Sequence, residues 1–576
     1  MSTPDTLVAA FQATAAHDPA AVALRIPGGE VSYTWGQYAA EVERLARALH
    51  GLGVRPGDTV ALMLANRPEF HLLDTAALHL GAIPFSIYNT SSPEQIAYLL
   101  GHAGARIAVS EEQFLPRLRA SGLELDHLLD VADLDALEPD PGFDFAASWK
   151  AIEPDRVVTL IYTSGTTGPP KGVEITHRTV LDNAVALQHG YAVHRGDRIT
   201  SYLPSAHAVD RMASHYLQML YGTQVTSIAD LKTITSALTE VRPTVWAAVP
   251  RVWEKIKIGI ESLLAASPDE EKRRAAAWAF EKGRAKVRLE QAGEEVPAEL
   301  AGEYELADQL VFTTIRTLLG LNELRYAFSG AAAIAPATLE FFLAMGVPVV
   351  EGWGMSELTT VATANPVGRT KIGSVGVALP GVELRIAEDG ELLVKASYVM
   401  KGYRGDPVKT AEAIDPDGWL HTGDVATIDD DGYVTIVDRK KELIINAGGK
   451  NMSPTNIENT IRSHTPLLGG IVVIGDNRPY NVALLVLDPD AAAAFAAQHG
   501  LPDDPAVLSK EPTLQAVVQA GVDAANAQLS RVEQIKKFAV LPGFWEPGGD
   551  ELTPTMKLRR RPISEKYATE IEALYA

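Results

Sequence analysis

The sequence predicts an α/β protein assembled from more than one unit, and three observations carry that prediction. Its 576 residues exceed what one hydrophobic core ordinarily encloses, so roughly three or four structural units are expected. Apolar runs of strand length alternate with stretches of helical periodicity along most of the chain. From Gly373 to about Val437 the alternation gives way to glycine turns between short strands (VELRI, ELLVK, YVTIV), the mark of a small β subdomain.

Composition narrows the function classes. At 46% hydrophobic and 22% charged residues the chain is that of a soluble globular protein. A formal charge of −22 repels nucleic-acid phosphates at long range and excludes nucleic acid as a partner. A bound nucleotide must then be held by local donors. The N-terminus, MSTPDTLVAAF, lacks the basic region and apolar core of a signal peptide, and no run of about 18 apolar residues suggests a transmembrane segment, so a cytoplasmic protein is expected. There is no cysteine, which excludes disulfides, thiolate metal sites and an acyl-cysteine intermediate. Any thioester would need a thiol brought by another molecule.

In chain order, a helix is expected over Trp35 to Leu52, turn chemistry at Gly53 to Asp58, a strand over Thr59 to Leu64, a second helix toward Leu80, and a strand entering a polar loop within Ala82 to Ser92. Val157 to Ile161 is a β-branched run that reads as a buried strand. Behind it stand Thr163, Ser164, Gly165, Thr166, Thr167, Gly168 and Lys171. Glycines let backbone N–H groups turn toward an anion, hydroxyls add donors, and the lysine adds a mobile charge, so the stretch reads as a phosphate loop. It does not have Walker spacing. Pro169 and Pro170 would also suit a surface linker, but a further apolar strand follows at Val173.

The string YTSGTTGPPKGV, Tyr162 to Val173, resembles the signature loop of the adenylate-forming enzymes: acyl-CoA synthetases, luciferases and the adenylation domains of peptide synthetases. The resemblance extends over about residues 20–570. It implies a large N-terminal domain of two α/β subdomains plus a small β-barrel-like subdomain over 1–437, a hinge at 438–442, and a smaller mobile α+β lid domain over 443–576.

Further motifs follow in the family's order. Thr176 can cap a helix starting THRTVLDNA, and Ile199 to Pro204 reads as a strand ending at a loop. Leu203, Pro204 and His207 match a Leu-Pro-x-x-His motif whose histidine borders the carboxylate being activated; a lone histidine is more often structural. Asp210, Arg211 and VPRVWEKI (Val249 to Ile256) resemble the long-chain acyl-CoA synthetases, and read alone suggest a surface ion pair on a helix. From Trp253 to about Gly320 the chain reads as a solvated helical insert. Its cations, Arg273, Arg274, Lys282, Arg284, Lys286 and Arg288, leave a peripheral membrane contact open, although interleaved glutamates favour a simple exposed helix.

Leu324 to Phe328 is a strand entering Ser329 to Pro336, whose small residues Gly330, Ala331, Ala332 and Ala333 let something flat approach the backbone. In the family this loop borders both adenine and the acyl group. A strand at Val347 to Val350 leads into Glu351, Gly352, Trp353, Gly354, Met355, Ser356 and Glu357. Trp353 can stack a purine, and Glu357, with Thr163, can hold a Mg²⁺ ion that bridges phosphates. Relatives usually have tyrosine at Trp353 and often threonine at Ser356. The turn at Gly418 to Asp424 ends in a carboxylate suited to the ribose hydroxyls.

Val437 to Pro454 resembles the hinge segment: Arg439 is implied as a ribose contact, Lys441 as the bend, and Gly448 and Gly449 as the path of the incoming thiol. Alone, Lys440 and Lys441 read as a solvated basic patch. Near the end, LTPTMKLRRR places Lys557 where the family has its adenylating lysine, with Met556 where a glycine usually precedes it. No role is assigned to Arg559, Arg560 and Arg561.

The implied activity is ATP-dependent: a carboxylic acid becomes acyl-AMP plus pyrophosphate, then acyl-CoA plus AMP, using ATP, Mg²⁺ and coenzyme A. Lys557, His207 and Glu357 are the implied catalytic residues. The acid pocket, bordered by His207, Trp246, Val249, Ala331, Ala332 and Ala333, offers no charged group for an ammonium, so a long-chain fatty acid or a bulky natural-product acid is expected. An enzyme of the thioester half-reaction alone, and an acyl-AMP ligase loading a carrier protein, remain alternatives. Glu174 stands where relatives have an apolar residue and could face Lys171 or turn from it. Monomer and homodimer are both open.

Overall fold

The computed structural model describes residues 4–163, 169–445, 451–553 and 556–576. Ser164, Gly165, Thr166, Thr167 and Gly168 of the expected phosphate loop, and Gly448 and Gly449 of the expected thiol path, lie outside the described residues.

The first unit is a parallel sheet in the order Ile83–Ser86, Thr59–Met63, Ile107–Ser110, His127–Asp130. The central strand is buried on both faces: Val60 and Leu62 join one core with the helices Trp35–Gly51 and Pro68–His79, while Ala61 and Met63 join another with the helix Pro93–Ala103. Reciprocal capping boxes, Thr34 with Gln37 and Ser92 with Gln95, start two of these helices. Against this sheet lies an antiparallel one, Gly402–Tyr403, Lys171–Thr176 and Val157–Thr163. Thr159 Oγ1 donates to the Pro84 carbonyl at 2.8 Å and ties the two together.

A second α/β unit carries Val245–Ala248, Tyr326–Ser329 and Val349–Gly354 in parallel, extended by the antiparallel strands Val361–Ala364 and Val377–Ala378. The stretch at 253–320 is helical as expected, but it is not a solvated insert. Glu270–Ala292 buries Ala276, Ala279, Phe280, Gly283 and Val287, and a Cβ on Gly283 would meet the Ala344 carbonyl at 2.6 Å. Among its surface cations Lys282 pairs with Glu303 at 2.8 Å and Arg288 with Glu340 at 2.7 Å. The high charge content hid a narrow apolar stripe that closes this core.

The β subdomain is an antiparallel sheet in the order Glu383–Ile386, Glu391–Lys395, Leu420–Ile428, Val434–Arg439, with its own small core around Leu392, Leu420 and Val434. The C-terminal unit packs Pro454–His464 and Pro512–Gln528 on one face of Leu468–Ile474, Asn481–Leu487 and Ile535–Val540, and Arg560–Lys566 and Ala568–Tyr575 on the other. Among the described residues no helix is long and apolar enough to cross a membrane.

Candidate active site

The nucleotide motifs converge at strand ends. Gly354 admits no side chain, since a Cβ there would lie 1.7 Å from the Thr360 carbonyl, and this close approach carries the chain from Val349–Gly354 into its antiparallel neighbour. Just before it, half-buried Trp353 donates Nε1–H to Asp424 Oδ2 at 2.8 Å. Arg439 Nε lies 2.8 Å from Asp424 Oδ1, and the two residues are direct cross-strand partners. Asp424 therefore sits within the strand Leu420–Ile428, not at a turn, because the glycine turn precedes it and Gly423 alone takes positive φ there. Burial raises the Asp424 pKa, opposed by the Arg439 charge.

Glu351 departs from the nucleotide set. Its carboxyl is buried and accepts from Ile334 N at 3.3 Å, beneath the Ala331–Ala333 loop. Burial pushes its pKa up to about 8, the behaviour of a protonated carboxyl in an apolar wall. Position along the strand is the reason: Glu351 and Trp353 share a face, but burial ends after Glu351 and Trp353 is half-buried.

On the phosphate side, buried Glu357 accepts from Tyr403 O–H at 2.8 Å, and Lys171 Nζ sits over the Tyr403 ring, 3.9 Å from its centroid. Thr163 faces Lys171 across the hairpin register. Desolvation lowers the Lys171 pKa, partly offset by Glu357. Glu174 turns from Lys171 and pairs with Arg404 Nη1 at 3.3 Å, so its carboxylate leaves the loop lysine's charge intact. Among the described residues no group of three or more His, Asp and Glu side chains could enclose a metal ion. A single buried carboxylate fits a Mg²⁺ ion that takes its remaining ligands from phosphates and water. Sequence reasoning missed Tyr403 and Arg404, because a tyrosine and an arginine in a two-residue edge strand show no spacing that announces a site.

The acid side is built from behind. His207 caps its own helix, with Nδ1 accepting from Val209 N at 3.2 Å, which leaves the proton on Nε2. Burial, and then the nearby Lys557 charge, hold its pKa down at about 4. Asp210 and Arg211 are not a surface pair. Arg211 is fully buried, bonds Asp74 Oδ2 at 2.6 Å, Ser205 O at 3.0 Å and Ser86 Oγ at 3.0 Å, while His215 Nε2 takes Asp74 Oδ1 at 3.0 Å. Asp210 accepts from Ser201 at 3.1 Å and Ser214 at 3.0 Å, and burial pushes its pKa up to about 7. The partner of Arg211 lies 137 positions away, beyond any local reading of the sequence.

Of the expected acid pocket, Val249 and Ala331 are half-buried and Ala332 and Ala333 exposed. Trp246 belongs to the core instead: it is 1% exposed, bonds Thr200 Oγ1 at 3.0 Å and meets Trp253 edge-on at 4.9 Å. Its strand alternation turns it to the helical side, leaving half-buried Ala247 on the other face. Ala331 takes φ +68°, a left-handed conformation costly for any residue but glycine.

Lys557 reaches this cleft from the C-terminal unit. Its side chain keeps solvent access yet is crowded by Arg439, Asp424, Glu357 and Glu442; desolvation first, then Arg439, lowers its pKa. Its backbone N–H donates to Thr553 Oγ1 at 2.9 Å. Met556, at the position where the resemblance implied glycine, takes φ +62°, a left-handed conformation that is strained for this residue. Lys441 sits in an exposed turn. Beside it Asp438 accepts from Ser453 Oγ at 2.6 Å and Thr455 N at 3.1 Å. Arg560 bonds Glu458 at 2.6 Å and Glu442 at 3.2 Å. Two further ion pairs join the N-terminal part to the C-terminal unit, Arg251 with Asp488 and Lys255 with Asp490 at 2.8 Å.

Comparison with known proteins gives the same outline. The family described as AMP-binding enzyme matches residues 11–404, and its C-terminal domain matches 441–576. A Mycobacterium tuberculosis protein named fatty-acid–CoA ligase fadD11 is 55% identical over 462 residues, 80% of each chain. The long-chain-fatty-acid–CoA ligase FadD15 of Mycobacterium bovis is 35% identical over 96% of this chain and 93% of its own. Among solved structures, anthranilate CoA ligase AuaEII with anthranoyl-AMP superposes with TM-score 0.74 at 19% identity over 97% of both chains. An o-succinylbenzoate CoA synthetase from Bacillus subtilis, bound to ATP and magnesium, gives 0.70 at 23% identity over 96% of this chain and 98% of that one. At those identities the two structures establish the fold.

Proposed function

The chain belongs to the AMP-binding enzyme family, and from that membership we infer that it is an ATP-dependent acyl-CoA synthetase: acid plus ATP gives acyl-AMP and pyrophosphate, and a thiol then displaces AMP. The observation that carries the assignment of roles is Lys557, set from one domain into a cleft lined by Glu357, Asp424 and His207 of the other. The relatives' names favour a fatty acid as substrate and coenzyme A as the thiol.

Adenylation forces a carboxylate against the α-phosphate of ATP, and in a water-poor cleft fixed cations must offset that repulsion. Lys557 supplies a cation at the α-phosphate and Lys171 one toward the β- and γ-phosphates. Trp353 offers an aromatic face to the base, and Asp424 with Arg439 the ribose contacts. Neutral His207 donates Nε2–H to the acid's oxygen, orienting the other oxygen for attack. The carboxylate oxygen forms the new bond to phosphorus while the bond to pyrophosphate breaks. Glu357 would hold a Mg²⁺ ion, whose charge neutralises the departing pyrophosphate. In the second step the thiol forms its bond to the acyl carbon, losing its proton, and AMP leaves; Lys557 has no α-phosphate bond to break then. Rotation of the 443–576 domain about Lys441 would take Lys557 out of the cleft between the steps.

The assay is AMP release with a panel of acids and free coenzyme A. Long-chain acids are expected to release AMP and form acyl-CoA; ADP release, or a preference for amino acids, would overturn the reading.

A further inference from the structure

We propose that Tyr403 is a positioning residue for adenylation: its hydroxyl selects which oxygen of Glu357 faces a divalent cation, and its ring holds the Lys171 ammonium beside that cation. The inference rests on the roles given above to Glu357 and Lys171.

Three independent contacts place the same short segment against both groups. Tyr403 O–H donates to Glu357 Oε1 at 2.8 Å, which leaves Oε2 to be presented to a metal. Met400 N donates to the Glu357 carbonyl at 2.8 Å, so one stretch of chain grips both the backbone and the carboxyl of that residue. The Tyr403 ring centroid lies 3.9 Å from Lys171 Nζ, within the range of a cation–π contact. Tyr403 is itself fixed: it is 7% exposed, pairs with Val173 on the strand that begins at Lys171, and its N–H donates to Thr410 Oγ1 at 2.9 Å. A phenol is protonated at neutral pH and a carboxylate offers no proton, so the hydroxyl is the donor in this contact. A carboxylate free to rotate would offer a cation either oxygen in several poses, and a lysine without the ring would spread over its rotamers. One tyrosine removes both freedoms, and neither contact touches His207 or the acid.

The test separates the hydroxyl from the ring. Tyr403→Phe keeps the ring; Tyr403→Leu removes both. Mn²⁺ binding in the presence of α,β-methylene-ATP, read by electron paramagnetic resonance, gives a measure independent of turnover. Tyr403→Phe is expected to weaken Mn²⁺ binding on the order of tenfold, the effect of losing one hydrogen bond to a charged group. The KM for the acid and the rate of thiol transfer from preformed acyl-AMP should stay within about twofold. Tyr403→Leu should add a several-fold weakening of the ATP analogue. Unchanged Mn²⁺ affinity in Tyr403→Phe, or equal losses in both half-reactions, would overturn the inference while leaving the enzyme assignment standing. Wild-type protein that binds neither Mn²⁺ nor the analogue would instead overturn the reading of Glu357 and Lys171, and this inference with it.

Discussion

On the nucleotide side of the cleft, each functional side chain is held by a partner at the cleft's own edge: Trp353 and Arg439 by Asp424, Glu357 and Lys171 by Tyr403. On the proposed acid side His207, among the described residues, accepts from its own helix start, and the loop beneath it is fixed by Arg211 and Asp74, both fully buried. Tyr403 stays fixed, but the partners of Asp424 can exchange one bond for another when a ligand arrives, because Trp353 is half-buried and Arg439 reaches solvent. A buried foundation cannot, because an ionised group left without its partner in a dry core is costly. On the roles proposed above, the difference is expected to give adaptability to the base and ribose end of the cleft and rigidity to the acid half.

The sharpest way to break that comparison is to remove the foundation. Asp74→Ala strands Arg211 and is expected to cost about 3–5 kcal/mol of folding stability, measured by urea unfolding; a cost like that of a surface ion pair would remove the distinction between the two halves. Lys557→Ala tests the shared centre: ATP–pyrophosphate exchange should fall about 10²–10³-fold, as for other lost transition-state donors, with thiol transfer from acyl-AMP largely spared. Equal loss in both steps would contradict the division of labour.

A smaller effect lies in the pH profile of stability. Burial holds His79 and His207 at about 4 and His177 at about 3. Below the ordinary histidine value of about 6.5 the unfolded chain takes up protons that the folded one refuses, so stability is lost as pH falls from there toward 4. Asp210 at about 7 and Glu351 at about 8 act oppositely, holding protons when folded, and their contribution is lost progressively as pH rises from the ordinary carboxyl range near 4 through those values. Together they place a maximum near pH 6.5, readable from thermal melts. Glu351→Gln should flatten the alkaline limb and steepen the acid limb, because the Glu351 carboxyl opposes the histidine gain between about 4.5 and 6.5. The smallest effect is expected at Met556→Gly: relief of left-handed strain, less the added freedom of the unfolded chain, should stabilise the protein by about 0.5 kcal/mol. A loss would mean that the Met556 side chain, 46% exposed, does more than its conformation suggests.

The same contrast explains what could be read from the sequence. Nucleotide chemistry demands particular groups at close spacing, so Trp353, Glu357, Asp424 and Arg439 stood out as motifs, and the α/β alternation that carries them was plain. The acid side is made by apolar packing and by charges brought together from distant positions. Trp246 was taken for a pocket wall when strand alternation turns it into the core, and Arg211 for surface charge because its partner Asp74 is far away in the chain. Glu351 differs for a related reason: a motif identifies a residue type, and only the packed structure decides how far along the strand the core extends.

The ion pairs joining Arg251 and Lys255 to Asp488 and Asp490 lie between the two domains, and any movement that withdraws Lys557 has to separate them. Their attraction is screened by dissolved ions, with a Debye length near 8 Å at physiological strength. If the proposed rotation operates, the resting posture is electrolyte-dependent: dilute buffer is expected to favour the arrangement for the first reaction, and concentrated buffer the second. The ratio of the two half-reaction rates should then follow ionic strength even when each separate site is saturated.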